Sequence, residues 1–176
     1  MWLEVLNNIK SRKKAIKIPE PSQTLPGEAI EKVTPIKKMN KIFGKSLKIR
    51  QVDAGSCSTC ERECTALTNP AYDVQKFGID VVASPRHADA ILAIGPVSRQ
   101  MELALQRTYI AMPKSKLVIS CGDCAINGGL YKGSYATKDG ISNVVSLHCQ
   151  IPGCPPPPET IIKKLLKLMK DISSRS

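Results

Sequence analysis

Short runs of consecutive apolar residues, separated by stretches with helical spacing, dominate the chain from residue 47 onward. Leu47–Val52, Ile79–Ala83, Ala90–Ile94, Leu117–Ser120 and Val144–Leu147 read as strands. Several are apolar at successive positions, the pattern of a strand buried on both faces. Segments near 61–68 and 97–110 read as helices between them. Residues 159–172 place Ile162, Leu165, Leu166, Met169 and Ile172 at helical spacing opposite Lys163, Lys164, Lys167 and Lys170. This is an amphipathic closing helix, and packing on the core is the default use of its apolar face. Strands alternating with helices predict an α/β domain over 47–176: a flavodoxin-like open parallel sheet with covering helices.

Residues 1–46 follow another pattern. Trp2, Leu3, Val5, Leu6 and Ile9 share one face of a short helix that runs into Lys10, Arg12, Lys13 and Lys14. Such a segment suits a membrane interface and a neighbouring subunit equally. Pro19, Pro21, Pro26 and Pro35 then punctuate a stretch with no apolar period, which reads as an extended arm lying on a partner.

Charge sharpens this division. The formal net charge is +11, and residues 1–50 carry twelve basic and four acidic side chains. Residues 159–176 add five against two, while 51–158 are balanced at nine of each. A nucleic-acid domain would carry its basic stripe on the folded core, beside aromatics or a known module. Neither is present, so no nucleic acid is expected as a partner. Basic ends on a neutral core suit an anionic membrane surface or acidic partner subunits. No run approaches the ~18–20 apolar residues that span a bilayer, and no cleavable signal opens the chain. The expectation is a protein made and kept in the cytoplasm, with ends that suit a membrane surface or partner subunits. With only two Phe and one Trp, the core must be built of Ile, Val, Leu and Ala. No P-loop or G-x-G-x-x-G fingerprint supports nucleotide binding.

Seven cysteines, an odd number in this setting, argue for metal or redox chemistry over a disulfide framework. Cys57 and Cys60 form a C-x-x-C pair after the first strand. Cys121 and Cys124 form another after the fourth, and Cys154 stands in Pro-Gly-Cys-Pro after the fifth. In an open parallel sheet these loops gather along one edge. Thiolates there are ligands for an iron–sulfur cluster or for structural zinc, and zinc would make the chain an adaptor without redox work. A thioredoxin-like dithiol at Cys57 and Cys60 would leave Cys124 and Cys154 without a role. Cys121 ends a buried strand, where a small thiol packs in the core, whereas Cys124 follows a glycine turn toward the open edge.

Several segments together resemble one family. They are Asp53-Ala-Gly-Ser-Cys57-Ser-Thr-Cys60-Glu-Arg-Glu63, Asn69-Pro-Ala-Tyr-Asp73, Phe77-Gly-Ile79 and Ser84-Pro-Arg-His-Ala-Asp89. To these are added Gly95-Pro-Val-Ser-Arg99, Gly122-Asp-Cys124-Ala125 with Gly128-Gly129, and Pro152-Gly-Cys154-Pro-Pro. The family is that of the small subunits of membrane-bound, energy-converting [NiFe] hydrogenases, shared with the cluster-bearing subunit of respiratory complex I.

The resemblance implies one [4Fe-4S] cluster on Cys57, Cys60, Cys124 and Cys154, with Cys64, Cys121 and Cys149 as non-ligands. It implies electron relay between a ferredoxin-like two-cluster subunit and a large catalytic subunit on a separate chain, beside integral membrane subunits. It marks Glu63 as a candidate proton-relay group, for which a helix-opening carboxylate is the plainer alternative. It also places Arg86 and His87 close to the cluster as donors, or as residues that hold their loop. The spaced pair Cys57–Cys60 looks like the hydrogenase branch, whereas the complex I branch uses adjacent cysteines. Thr59 stands where the hydrogenase branch commonly has glycine. A complex I-like subunit feeding a quinone or a sulfur acceptor is the alternative within the redox class.

Overall fold

The computed structural model describes residues 46–113 and 117–175. The expectations for the helix at 2–9 and the arm at 18–36 lie outside them. Five strands form one all-parallel sheet: β1 (Leu47–Asp53), β2 (Ile79–Val81), β3 (Ala90–Ile94), β4 (Leu117–Cys121) and β5 (Cys149–Ile151). Their order is β2-β1-β3-β4-β5, the flavodoxin-like doubly wound order. Four helices accompany them: α1 (Thr59–Ala66), α2 (Arg99–Ala111), α3 (Asp123–Asn127) and α4 (Pro158–Arg175).

β3 lies at the centre, and all five of its residues are buried. Its pleat sends alternate side chains to opposite faces. Ile91 and Ala93 join Val52, Val118, Leu105, Ala125 and Ile141 in one hydrophobic cluster, so Ala90, Leu92 and Ile94 serve the other face. α2 starts at Ser98, whose hydroxyl accepts the Met101 N–H at 3.3 Å, a side-chain cap that satisfies one of the helix's orphan donors. α4 starts at a proline, whose missing N–H costs nothing in a first turn. Ile161, Ile162, Leu165, Leu166 and Met169 are all buried, so the apolar face of the closing helix packs on the core. No described helix is long and apolar enough to cross a membrane.

The fifth strand differs from expectation. Val144–Leu147 is not a strand: Ile141–Asn143 forms a 3-10 turn, and the strand is Cys149–Ile151. Val145 is buried, and Val144 and Leu147 pack against the cluster that Leu105 and Ile141 belong to. Their apolar character therefore serves the core as irregular chain. β5 has one neighbour only, and such a strand can be short and carry a polar residue such as Gln150.

Ile91→Ala, at the fully buried centre of β3, is expected to cost about 2–5 kcal/mol, read as a lower denaturant midpoint at unchanged slope. Leu103→Ala on the half-exposed flank of α2 should stay within about 0.5 kcal/mol.

Candidate metal centre

The sheet register brings strand ends level. Asp53 pairs with Ile94, Ile94 with Cys121, and Cys121 with Ile151, so the loops after β1, β3, β4 and β5 leave from one edge. The loop after β1 is held by Asp53. Its Oδ1 accepts the N–H groups of Gly55 at 2.8 Å and Ser56 at 2.7 Å, and its Oδ2 accepts the Ser56 hydroxyl at 2.9 Å. This turns the chain sharply, so that Cys57 is exposed and Cys60, in the first turn of α1, is buried.

The loops after β4 and β5 are tied to each other. Asp123 Oδ1 accepts the Gly153 N–H at 2.8 Å, and the Asp123 N–H donates to the Gly153 carbonyl at 2.9 Å. Cys124 on α3 and Cys154 beyond Gly153 are thereby fixed relative to one another. Two glycines leave room for sulfur. A Cβ at Gly122 would lie 2.7 Å from Cys60 Sγ, and one at Gly129 would lie 2.9 Å from Cys124 Sγ. Both glycines have positive φ, +94° and +50°, which a side chain would resist as well.

Several thiols act on Cys60 at once. Burial pushes the Cys60 thiol up to about 12, with the charges of Cys154, Cys64, Cys57 and Cys124 adding to the rise. Burial likewise raises Cys124, where the Leu130 N–H pulls the other way and Cys154, Cys57 and Asp123 push up. Cys57 is shifted down: the Thr59 hydroxyl and backbone N–H favour its thiolate, and they outweigh burial and the Asp53 carboxylate.

The other three cysteines sit differently. Cys121 is fully buried at the end of β4 and hydrogen-bonds Cys64, which together with burial raises its thiol. Cys64, one helical turn beyond Cys60, is buried with it. Cys149 opens β5 level with Ile119; burial raises its thiol, while Lys164 of α4 favours the thiolate and Asp171 opposes it.

Cys57, Cys124 and Cys154 all lie close enough to Cys60 to act on its thiol, and so does Cys64. All seven cysteines are free thiols. Among the described residues, no group of three or more His, Cys, Asp or Glu is placed to hold a metal ion. Glu63 is half-buried on α1, beside Cys64 in sequence. Arg86 and His87 are exposed on the 3-10 turn Pro85–His87. That turn lies between Val82, whose N–H donates to the Ile49 carbonyl, and Asp89, whose N–H donates to the Lys48 carbonyl. Its anchors thus flank the first half of β1, while the cysteine loops follow its end. Glu63, Arg86 and His87 are not among the strongest influences on Cys57, Cys60 and Cys124.

Sequence reasoning did not assign roles to Asp53, Asp123 or Thr59. An Asp two residues before a glycine is a turn-forming signal that points to Asp53. The tie between Asp123 and Gly153 joins residues thirty apart, with no local signal.

In metal-free protein, a thiolate shifted below the ordinary 9.0 forms first as pH rises. Iodoacetamide labelling read by peptide mass spectrometry should therefore modify Cys57 at the lowest pH and Cys60 well after it, because Cys60 stays protonated until about 12, while the fully buried Cys121 should resist longest. Gly122→Ala should cost about 1–3 kcal/mol in chemical denaturation, from positive φ and the crowding of Cys60.

Comparison with known proteins follows the same lines. The family model for the 20 Kd subunit of NADH ubiquinone oxidoreductase matches residues 57–168. A probable membrane-bound hydrogenase subunit, mbhJ, of Pyrococcus furiosus is 35% identical over 77% of this chain and 85% of its own length. Formate hydrogenlyase subunit 7 of Escherichia coli is 36% identical over 87% of this chain and 58% of its own. A chain of the membrane-bound sulfane sulfur reductase, an archaeal respiratory membrane complex, superposes with a TM-score of 0.65 at 33% identity. That match covers 74% of this chain and 72% of the other. A chain of the Dm. baculatum [NiFeSe]-hydrogenase shares the fold, with a TM-score of 0.54 at 14% identity over 73% of this chain and 63% of its own. The chain thus belongs to the family of the 20 Kd subunit of NADH ubiquinone oxidoreductase, whose members are subunits of hydrogenase and complex I-type oxidoreductases.

Proposed function

We propose that this subunit carries one [4Fe-4S] cluster on Cys57, Cys60, Cys124 and Cys154. It would relay single electrons between a ferredoxin-like subunit and the large catalytic subunit of a membrane-bound, [NiFe]-hydrogenase-type complex. The observation that carries the reading is the convergence of these four thiols at the end of a parallel sheet, each raising or sensing the others' charge. A tetrahedral zinc site with metal–sulfur distances of ~2.3 Å would bring its sulfurs within about 3.8 Å of one another. A polynuclear cluster takes a wider set. When bound, the cluster supplies a one-electron couple.

The chain's own residues do the rest. Cys60 and Cys124 are buried, while Cys57 and Cys154 are exposed, so a cluster on all four would sit at the protein's edge with one side toward a partner. Asp53 and Asp123 set the loops in place before metal arrives. The pairing of Cys64 with Cys121 keeps both sulfurs inside, which supports reading them as non-ligands. Cys149, whose thiol responds to Lys164 and Asp171 of α4, is read in the same way.

Resemblance to subunits of membrane-bound complexes, with no membrane-crossing helix among the described residues, supports a peripheral place beside integral membrane subunits on the cytoplasmic face. Glu63 remains the proton-relay candidate in this reading, and Arg86 and His87 candidate donors toward the cluster. A second reading, in which the partner reduces sulfur, is favoured by the 33% identity to a chain of the sulfane sulfur reductase. The presence or absence of two nickel-binding cysteine pairs in the large subunit separates the two.

Single Cys→Ser variants of the assembled complex test the ligand set. Iron content and the spin-resonance signal should fall to background for this cluster at 57, 60, 124 and 154, and persist at 64, 121 and 149. Retention at 124 with loss at 121 would contradict it.

A further inference from the structure

Thr59 is the first residue of α1, and Ser58 before it takes a left-handed conformation, φ 65°. This kink folds residue 59 back over residue 57, and Thr59 Oγ1 lies 3.3 Å from Cys57 Sγ. The Thr59 backbone N–H is directed at the same sulfur. A hydroxyl is donor and acceptor and rotates to suit its partner: toward a thiol it accepts, and toward a thiolate it donates. No other hydrogen bond of this hydroxyl is found among the described residues. It caps neither the helix, where Ser58 is the N-cap without a side-chain bond, nor any loop.

We propose that the Thr59 hydroxyl donates a hydrogen bond to the Cys57 thiolate and thereby sets the reduction potential of the cluster that Cys57 helps to hold. The inference rests on the reading of Cys57 as a ligand. Reduction adds one electron, from a chemical titrant or the donor subunit, to the iron core. No covalent bond forms or breaks, and the hydroxyl keeps its proton. The reduced state carries one more negative charge, part of it on the cysteine sulfurs. A donor at the sulfur stabilises that state more than the oxidised one and raises the potential.

The test is a spin-resonance-monitored redox titration of the anaerobically purified whole complex, following the signal that Cys57→Ser abolishes. Thr59→Val keeps the backbone N–H and the shape while removing the hydroxyl. Its midpoint should move negative, so that the ratio of reduced to oxidised cluster at a fixed potential falls about tenfold, equivalent to about 59 mV for a one-electron couple. Thr59→Ser restores the donor and should titrate with the wild type. Iron content and spin count should match across all three. A Thr59→Val midpoint equal to the wild type overturns the proposal. Loss of iron in both Thr59→Val and Thr59→Ala with retention in Thr59→Ser also overturns it, because the hydroxyl would then hold the cluster without tuning it. Failure of Cys57→Ser to abolish any signal would instead sink the ligand reading on which the inference rests.

Discussion

Parallel pairing that brings the ends of β1, β3, β4 and β5 level is the constraint from which the candidate site follows. In a parallel sheet every strand points the same way, so every loop that leaves a strand end emerges at one edge. Here Asp53, Ile94, Cys121 and Ile151 stand side by side. Three short loops then deliver cysteines that are almost a hundred residues apart in sequence to one place. A one-residue slip in β4 would exchange the faces of the strand and send Cys121 and Cys124 to different surroundings. The buried faces of β4 oppose such a slip, since it would turn Val118 away from the cluster it completes.

Gathering thiols in this way is costly until something positive arrives. The strongest influences on Cys60 are burial and four other sulfurs, and each of these favours the protonated thiol. Binding of a metal centre therefore displaces protons and couples to folding. The loop geometry is prepared in advance by uncharged or locally paired groups. Asp53 is hydrogen-bonded by three donors of its own loop, and Asp123 by the Gly153 N–H. These carboxylates act as clamps, and glycines at 122 and 129 keep the space that sulfur fills. Thr59 favours the Cys57 thiolate enough to outweigh burial, whereas the Leu130 N–H at Cys124 does not, which makes the exposed corner of the site chemically distinct from the buried one.

Much of the architecture was legible from apolar residues, because β3 and β4 are buried strands with nearly continuous hydrophobicity, and β1 sets apolar Leu47, Ile49 and Val52 among polar neighbours. The cysteine loops were legible because glycine and proline mark their turns. The fifth strand was not: Cys149-Gln150-Ile151 is short and carries a polar residue, while the apolar Val144–Leu147 beside it fills the core without being a strand. The clamps were also hidden, since the Asp123–Gly153 tie depends on tertiary proximity. Arg86 and His87 were picked out by resemblance, and the register sets the anchors of their turn beside Ile49 and Lys48, a placement that no local pattern encodes. The contact of Thr59 with Cys57 arises from a left-handed Ser58, a backbone choice that serine does not announce.

The central claim, that four converging thiols hold a redox cluster, is tested most directly by metal and sulfide analysis of the anaerobically purified chain together with its optical and spin-resonance spectra before and after reduction. The account predicts about four irons and four sulfides per chain, for a cluster held by four cysteines, in a brown chromophore that bleaches on one-electron reduction. A colourless protein holding stoichiometric zinc and no sulfide would contradict it.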